Sequence, residues 1–236
     1  MSTAPADSPW MAGRRAVGEV AFPAALVLGS AALLAVAYYH VPAVHAAMES
    51  VAAVRRANPL LFAVTSTSLT AGLIPWLLRM ALPRLRPTHP WRDLLHSMIW
   101  WGLMGLVVDR FYALLTLLFG PEPGAPLTPG IVLAKVACDM SVFTMLVGAP
   151  FNALSHLWKD LNWDIRAFRA QLGAGWYRRI VVPNLLPNWL VWIPGTAIFY
   201  SLPEDLQLAV ANAIGCMWAL MCVRIALHSR PEKPLA

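Results

Sequence analysis

Long stretches of this chain carry no charged residue, and nothing else limits its possible folds as strongly. No Asp, Glu, Lys or Arg occurs between Glu19 and Glu49, between Arg56 and Arg79, or between Arg179 and Glu204. A water-soluble domain coats its surface with charged residues, at roughly a quarter of its positions. Here only 13% of the 236 residues are charged and 58% are hydrophobic. The apolar content excludes a disordered chain. Fourteen glycines are too few for collagen, and three cysteines too few for a disulfide scaffold. The chain reads as an all-α, polytopic integral membrane protein, because a helix satisfies its own backbone in lipid.

Crossing a bilayer takes about 20 helical residues. Six segments qualify, near 17–39, 59–82, 94–119, 130–151, 180–202 and 206–227. Asp109-Arg110 interrupts the third, and Pro183, Pro187 and Pro194 make the fifth a candidate for a broken or interfacial helix. Around this core, 1–13 reads as a disordered tail and 14–57 as a signal-anchor helix with an amphipathic link. Residues 58–228 form the membrane core and 229–236 a second tail.

The basic residues orient the map. With both termini cytoplasmic, 14 of the 18 Lys and Arg fall on the cytoplasmic side. Arg55 and Arg56 fall outside, and Arg110 and Lys135 within the membrane. The net charge of +6 is then accounted for by topology and anionic headgroups, so the bilayer is the expected partner and nucleic acid is not. Two links are expected to lie in the interface. One is 158–172, with Trp158, Leu161, Ile165, Phe168 and Leu172 on one stripe; the other is 43–57, with Val44, Met48 and Val51.

Motifs for chemistry are scarce. Cys138, Cys216 and Cys222 form no Cys-x-x-Cys, and the six histidines show no metal-binding spacing. Neither a phosphate-cradling glycine loop nor a Gly-x-Ser-x-Gly elbow is present. No cofactor, metal or enzymatic activity is expected.

Ionisable residues inside a span are costly and mark function by default. Counting along the helices puts Asp109 and Arg110 at a depth similar to Lys135 and Asp139, which lie four apart on one helical face. Asp109 with Lys135, and Arg110 with Asp139, is the expected pairing. Such a cluster serves either as a lock between helices or as a charged constriction in an aqueous path. Pro183, Pro187 and Pro194 fall within a narrow arc and remove three backbone donors from one face, beside Asn184 and Asn188. The hydroxyls of Thr65-Ser66-Thr67-Ser68 are expected to bond back to their own helix. Ala211 and Gly215 offer a small-residue helix contact.

These motifs, in order, resemble the family of the Mpv-seventeen and peroxisomal twenty-two-kilodalton membrane proteins, over about 58–228. The family's Pro-led span with its glycine resembles Pro59 and Gly72, although Pro75 stands where the family has an acidic residue. Its Leu-Asp-Arg-Phe resembles Val108-Asp109-Arg110-Phe111. Its Lys-x-x-x-Asp-Gln-x-x-Phe resembles Lys135, Asp139 and Phe143, with Met140 replacing Gln. The C-terminal signature fits in two registers. One runs through Phe199, Pro203 and Trp218, the other through Pro183, Asn188 and Pro194. The resemblance implies a small pore-forming or solute-permeable membrane protein. Few lysines and no transit-type presequence point to a bacterial inner membrane, with the mitochondrial inner membrane as the alternative. The expected function is passage of unknown small solutes or ions, a homo-oligomer being compatible with it. A structural scaffold and a membrane-embedded enzyme are the other readings.

Overall fold

The computed structural model describes the backbone of residues 9–122 and 125–229, and the side chains of 21–122 and 125–220. Helix follows helix, and no strand occurs among the described residues. We label the helices α1 (Pro9–His40), α2 (Pro42–Ala57), α3 (Pro59–Ala81) and α4 (Pro90–Phe119). Then come α5 (Pro129–Asp160), α6 (Ile165–Gln171), α7 (Val182–Tyr200) and α8 (Glu204–Ser229). The prolines at 42, 59, 90 and 129 each sit in the first turn of a helix, where a missing N–H costs nothing. The expected tail 1–13 is helical from Pro9 onward. The tail 229–236 lies outside the described residues beyond Ser229.

Among the described residues, four helices are long and apolar enough to cross a membrane: Ala21–His40, Pro59–Ala81, Pro90–Phe119 and Pro129–Asp160. Their polarity is inverted relative to a soluble bundle. Leu117, Phe22, Leu146 and Leu33 are 70–82% exposed, whereas Asp109, Lys135 and Asp139 are at most 4% exposed. A surface of that kind suits lipid.

Widened, π-helical turns interrupt α3 at Ser68–Leu73 and α5 at Asp139–Gly148, and a third (Tyr177–Val181) leads into α7. Side chains from the α7 region reach carbonyls of the widened stretch of α5. Tyr177 Oη donates to Met145 O at 2.7 Å, and Trp189 Nε1 to Met140 O at 3.3 Å. The proline-rich helix, expected as a broken or interfacial one, instead runs unbroken from Val182 to Tyr200 and packs inward. α7 runs along α1, and its Val191, Phe199 and Tyr200 are fully buried.

The anticipated interfacial helix 158–172 is two helices. Asn162 and Trp163 both have positive φ (52° and 60°), and the Asp164 carboxylate caps α6 by accepting from the backbone N–H of Arg166 and Ala167. Asn tolerates left-handed backbone and Asp is a strong N-cap, so the chain turns here rather than continuing as one stripe. The other link is helical throughout, as α2. Its inward face is Met48, Ala52 and Arg55, and Val51 points outward.

The tightest helix contact joins α3 to antiparallel α4. A Cβ at Gly105 would stand 2.4 Å from Ala63 O and 2.5 Å from Thr67 Oγ1, and one at Gly102 would stand 2.7 Å from Ser68 Oγ. The expected small-residue contact at Gly215 is looser, with only the Trp192 ring nearby at 3.7 Å. Because Gly105 faces backbone, Gly105→Val should cost about 1–3 kcal/mol by overpacking, measurable as a lowered unfolding midpoint in detergent. A midpoint equal to that of the unmodified protein would contradict this contact. The hydroxyl run is shared between its own helix and others. Thr65 bonds back to Leu61 O, but Ser68 donates to Met98 O on α4. Ser66 and Thr67 both bond Asn212 on α8.

Candidate functional site

Asp109 lies in α4 with its side chain fully buried. Its Oδ1 accepts from Arg55 Nη2 at 2.8 Å and Nε at 3.3 Å; its Oδ2 accepts from Arg110 Nη2 and Nε. Arg55 reaches in because Met48, Ala52 and Arg55, spaced four and three apart, form the buried stripe of α2. The same guanidinium donates from Nη1 to Asp205 Oδ1 at 2.6 Å, and its Nη2 lies 3.7 Å from Glu204 Oε1. Asp205 Oδ2 takes a further bond from Arg56, which also reaches Glu49, and Glu49 accepts from Tyr38. A chain of charged contacts thus ties α1, α2, α4 and α8 together. Glu204 and Asp205 open α8, where the unpaired N–H groups of a helix start favour negative charge.

Lys135 and Asp139 form a separate centre on α5. Lys135 Nζ donates to Thr116 Oγ1 at 2.9 Å and lies 5.7 Å from the centroid of the Tyr200 ring. Asp139 Oδ2 accepts from Tyr200 Oη at 2.6 Å, and Oδ1 accepts from Thr144 Oγ1 at 3.5 Å. Among the described residues, neither group has an ion pair within 4.0 Å. The expected pairs, Asp109 with Lys135 and Arg110 with Asp139, are therefore not formed. The reason is register. Thr116, which meets Lys135, is two turns beyond Asp109 on α4, a rise of ~10 Å. Asp109 instead faces Arg55, a residue the sequence places in a link. Arg110 is half exposed, so three of the four anticipated charges are interior and one is at the surface.

Other anticipated positions are placed as follows. Pro183 lies in the first turn of α7, and Pro187 and Pro194 lie within the helix. Asn184 Nδ2 donates to Ile180 O in the widened turn that leads into α7, whereas Asn188 Oδ1 is buried with no partner among the described residues. Pro59 opens α3, and Gly72 abuts Ser97 O of α4 at 3.1 Å from an ideal Cβ. Phe111 and Phe143, from two separate motifs, stack at 4.3 Å between centroids. Pro203 separates α7 from α8, and Trp218 packs at the edge of the core. Cys138 and Cys216 are free thiols, and the Cys222 side chain lies outside the described residues.

A second polar cluster, absent from the sequence reading, surrounds the start of α4. The buried Asp93 carboxylate pairs with Arg79 of α3 and, at 3.1 Å, with Lys159 of α5. One turn on, His96 Nε2 lies 2.9 Å from Ser155 Oγ, and His96 Nδ1 lies 3.1 Å from Trp163 Nε1. The pair resembles a serine–base dyad but has the opposite polarity. An indole N–H only donates, so Nδ1 is the acceptor and the neutral ring carries its proton on Nε2. His96 then donates to Ser155 instead of taking its proton.

Compared with known families, curated proteins and solved structures, the chain matches none.

Proposed function

We propose that this protein passes small solutes or ions across a membrane, and that the network joining Arg55, Asp109, Glu204 and Asp205 governs access to the interior centre at Lys135 and Asp139. One observation carries the reading. A buried cation and a buried carboxylate sit one turn apart on α5, each held by hydroxyls rather than by an opposite charge. A structural lock gains from closed ion pairs, whereas a conduction path needs charges that are solvated weakly enough to exchange partners. The wider reading comprises six spans with both termini on the cytoplasmic side of a bacterial inner membrane, or of a mitochondrial one. It also includes kinship with the Mpv-seventeen and peroxisomal twenty-two-kilodalton proteins, for which the Phe111–Phe143 contact between two motifs speaks.

The second reading, a structural protein, is favoured by the Arg55–Asp109–Asp205 network, in which opposite charges meet directly. Purified protein in liposomes separates the two. Conductance or efflux of small solutes above that of empty liposomes is the expected result. Liposomes indistinguishable from empty ones would leave the structural reading. An embedded enzyme finds least support, given the polarity of the His96–Ser155 pair.

A further inference from the structure

Both ring nitrogens of His96 are occupied, and one of the contacts exists only while the ring is neutral. Trp163 Nε1 has a hydrogen to donate and no lone pair to offer, so a second proton on His96 Nδ1 would set N–H against N–H. On the other side of that contact the backbone is strained. Asn162 and Trp163 hold consecutive positive φ angles of 52° and 60°, a conformation a bulky aromatic residue rarely adopts. Local bonds support the turn, from Trp163 N to Trp158 O at 3.0 Å and from Asn162 N to Lys159 O at 3.0 Å. The hydrogen bond that ties its side chain to α4 is the one to His96.

Of the two hydrogen bonds to His96, only the one from Trp163 needs the neutral ring. On α4 itself, Asp93 lies one turn back and Trp100 stacks on the ring, with centroids 5.3 Å apart and planes at 16°. Both favour an imidazolium, the first by charge and the second by its π face. Burial of the ring opposes the charge first and Lys159 on α5 second, and Arg79 of α3 and His156 of α5 stand behind as further positive or titratable groups. Ser155 accepts from Nε2 in either state. Trp158 meets the ring edge-on at 5.7 Å and passes the contact to Phe168 of α6.

We propose that His96 is a proton-operated latch. Neutral, it holds Trp163 and with it the turn between α5 and α6. Protonated, it keeps Trp100 and Ser155 and releases Trp163. The strained turn then relaxes and α6, with Arg166 and Arg169, loosens from the bundle.

Hydrogen exchange of the full chain in lipid nanodiscs reads the latch, at about pH 5 and about pH 8, on either side of the ordinary histidine value. The comparison is His96→Gln, whose amide can accept from the indole and donate to Ser155 but cannot titrate. Near pH 8 the two proteins should exchange alike over 161–172. Near pH 5 the unmodified chain should exchange about tenfold faster there than His96→Gln, the scale of one lost hydrogen bond with an unsatisfied donor. Equal exchange at both pH values, or an acid response retained in His96→Gln, overturns the proposal. His156→Gln should keep the response, and its loss there would move the latch to the wrong histidine. Should His96→Gln not fold, two other results decide. Trp163→Phe, which removes only the indole N–H donor and one ring, should exchange fast at both pH values. The nitrogen-15 spectrum of His96 should show the Nε2–H tautomer near pH 8, and an Nδ1–H tautomer overturns the proposal.

Discussion

Arg55→Met should cost about 3–5 kcal/mol of stability, the range for removing one partner of a buried ion pair. The loss follows from what remains. The Asp109 side chain has no solvent exposure and would keep only Arg110, whose own side chain is 54% exposed and free to turn outward. Asp205 loses a partner as well, but at 28% exposure it can turn to water or to Arg56. Most of the cost therefore sits on one carboxylate. It should be recovered in the double variant Arg55→Met with Asp109→Leu, because replacing both halves of a buried pair with apolar groups is often neutral or stabilising. The eleven tryptophans give a fluorescence signal for unfolding in detergent. A single variant within 1 kcal/mol of the unmodified protein would mean that the network between α2, α4 and α8 does not hold the bundle together.

How much of this was legible without the structure depends on what kind of information each feature needs. The apolar helices were legible, since uncharged runs of sufficient length set α1 and α3 directly, and α4 and α5 stood out as apolar stretches interrupted by Asp109-Arg110 and by Lys135 and Asp139. Burial was legible in part. Counting residues from helix ends put Asp109, Arg110, Lys135 and Asp139 inside at one depth; three of the four are buried, Arg110 is half exposed, and the residue of α4 that meets Lys135 lies about two turns beyond Asp109. Partners were not, because position along a helix does not say where a short helix folds back. Arg55 was counted as a loop charge reporting orientation. Its signal was nevertheless present in the Met48, Ala52, Arg55 spacing, which the competing stripe Val44, Met48, Val51 obscured. Glu204 and Asp205 carried a second signal, acidic residues directly after Pro203 at a helix start. Arg79 and Lys159 were likewise read as topology alone, yet they neutralise Asp93. That cluster forms only because the start of α4 meets the end of α5, a tertiary fact. The break between α5 and α6 was written locally, in Asn162 and Asp164, and the apolar stripe of 158–172 overrode it.

Lys135→Met should fold and should change ion selectivity, which is the outcome that distinguishes a path from a lock. Lys135 is 2% exposed, with one hydroxyl partner and a ring face beside it and no carboxylate within 4.0 Å among the described residues. Methionine fills a similar volume without a charge to desolvate, so the unfolding midpoint should stay level or rise. An ion passing ~8 Å from that ammonium at an effective dielectric of ~20 feels about 2 kcal/mol, or roughly thirty-fold in relative permeability. With the cation removed, Asp139 is the charge left at the centre, and the reversal potential in a salt gradient should move toward cations by that scale. Lys135→Glu takes the same substitution further. It puts a second carboxylate four residues from Asp139 on one helical face, where like charges repel. That variant should lose monodisperse folded protein, or if it folds should exclude anions more strongly than the methionine variant. Unchanged selectivity in a well-folded Lys135→Met protein would remove Lys135 from any conduction path and leave α5 joined to its neighbours by hydroxyls and rings alone.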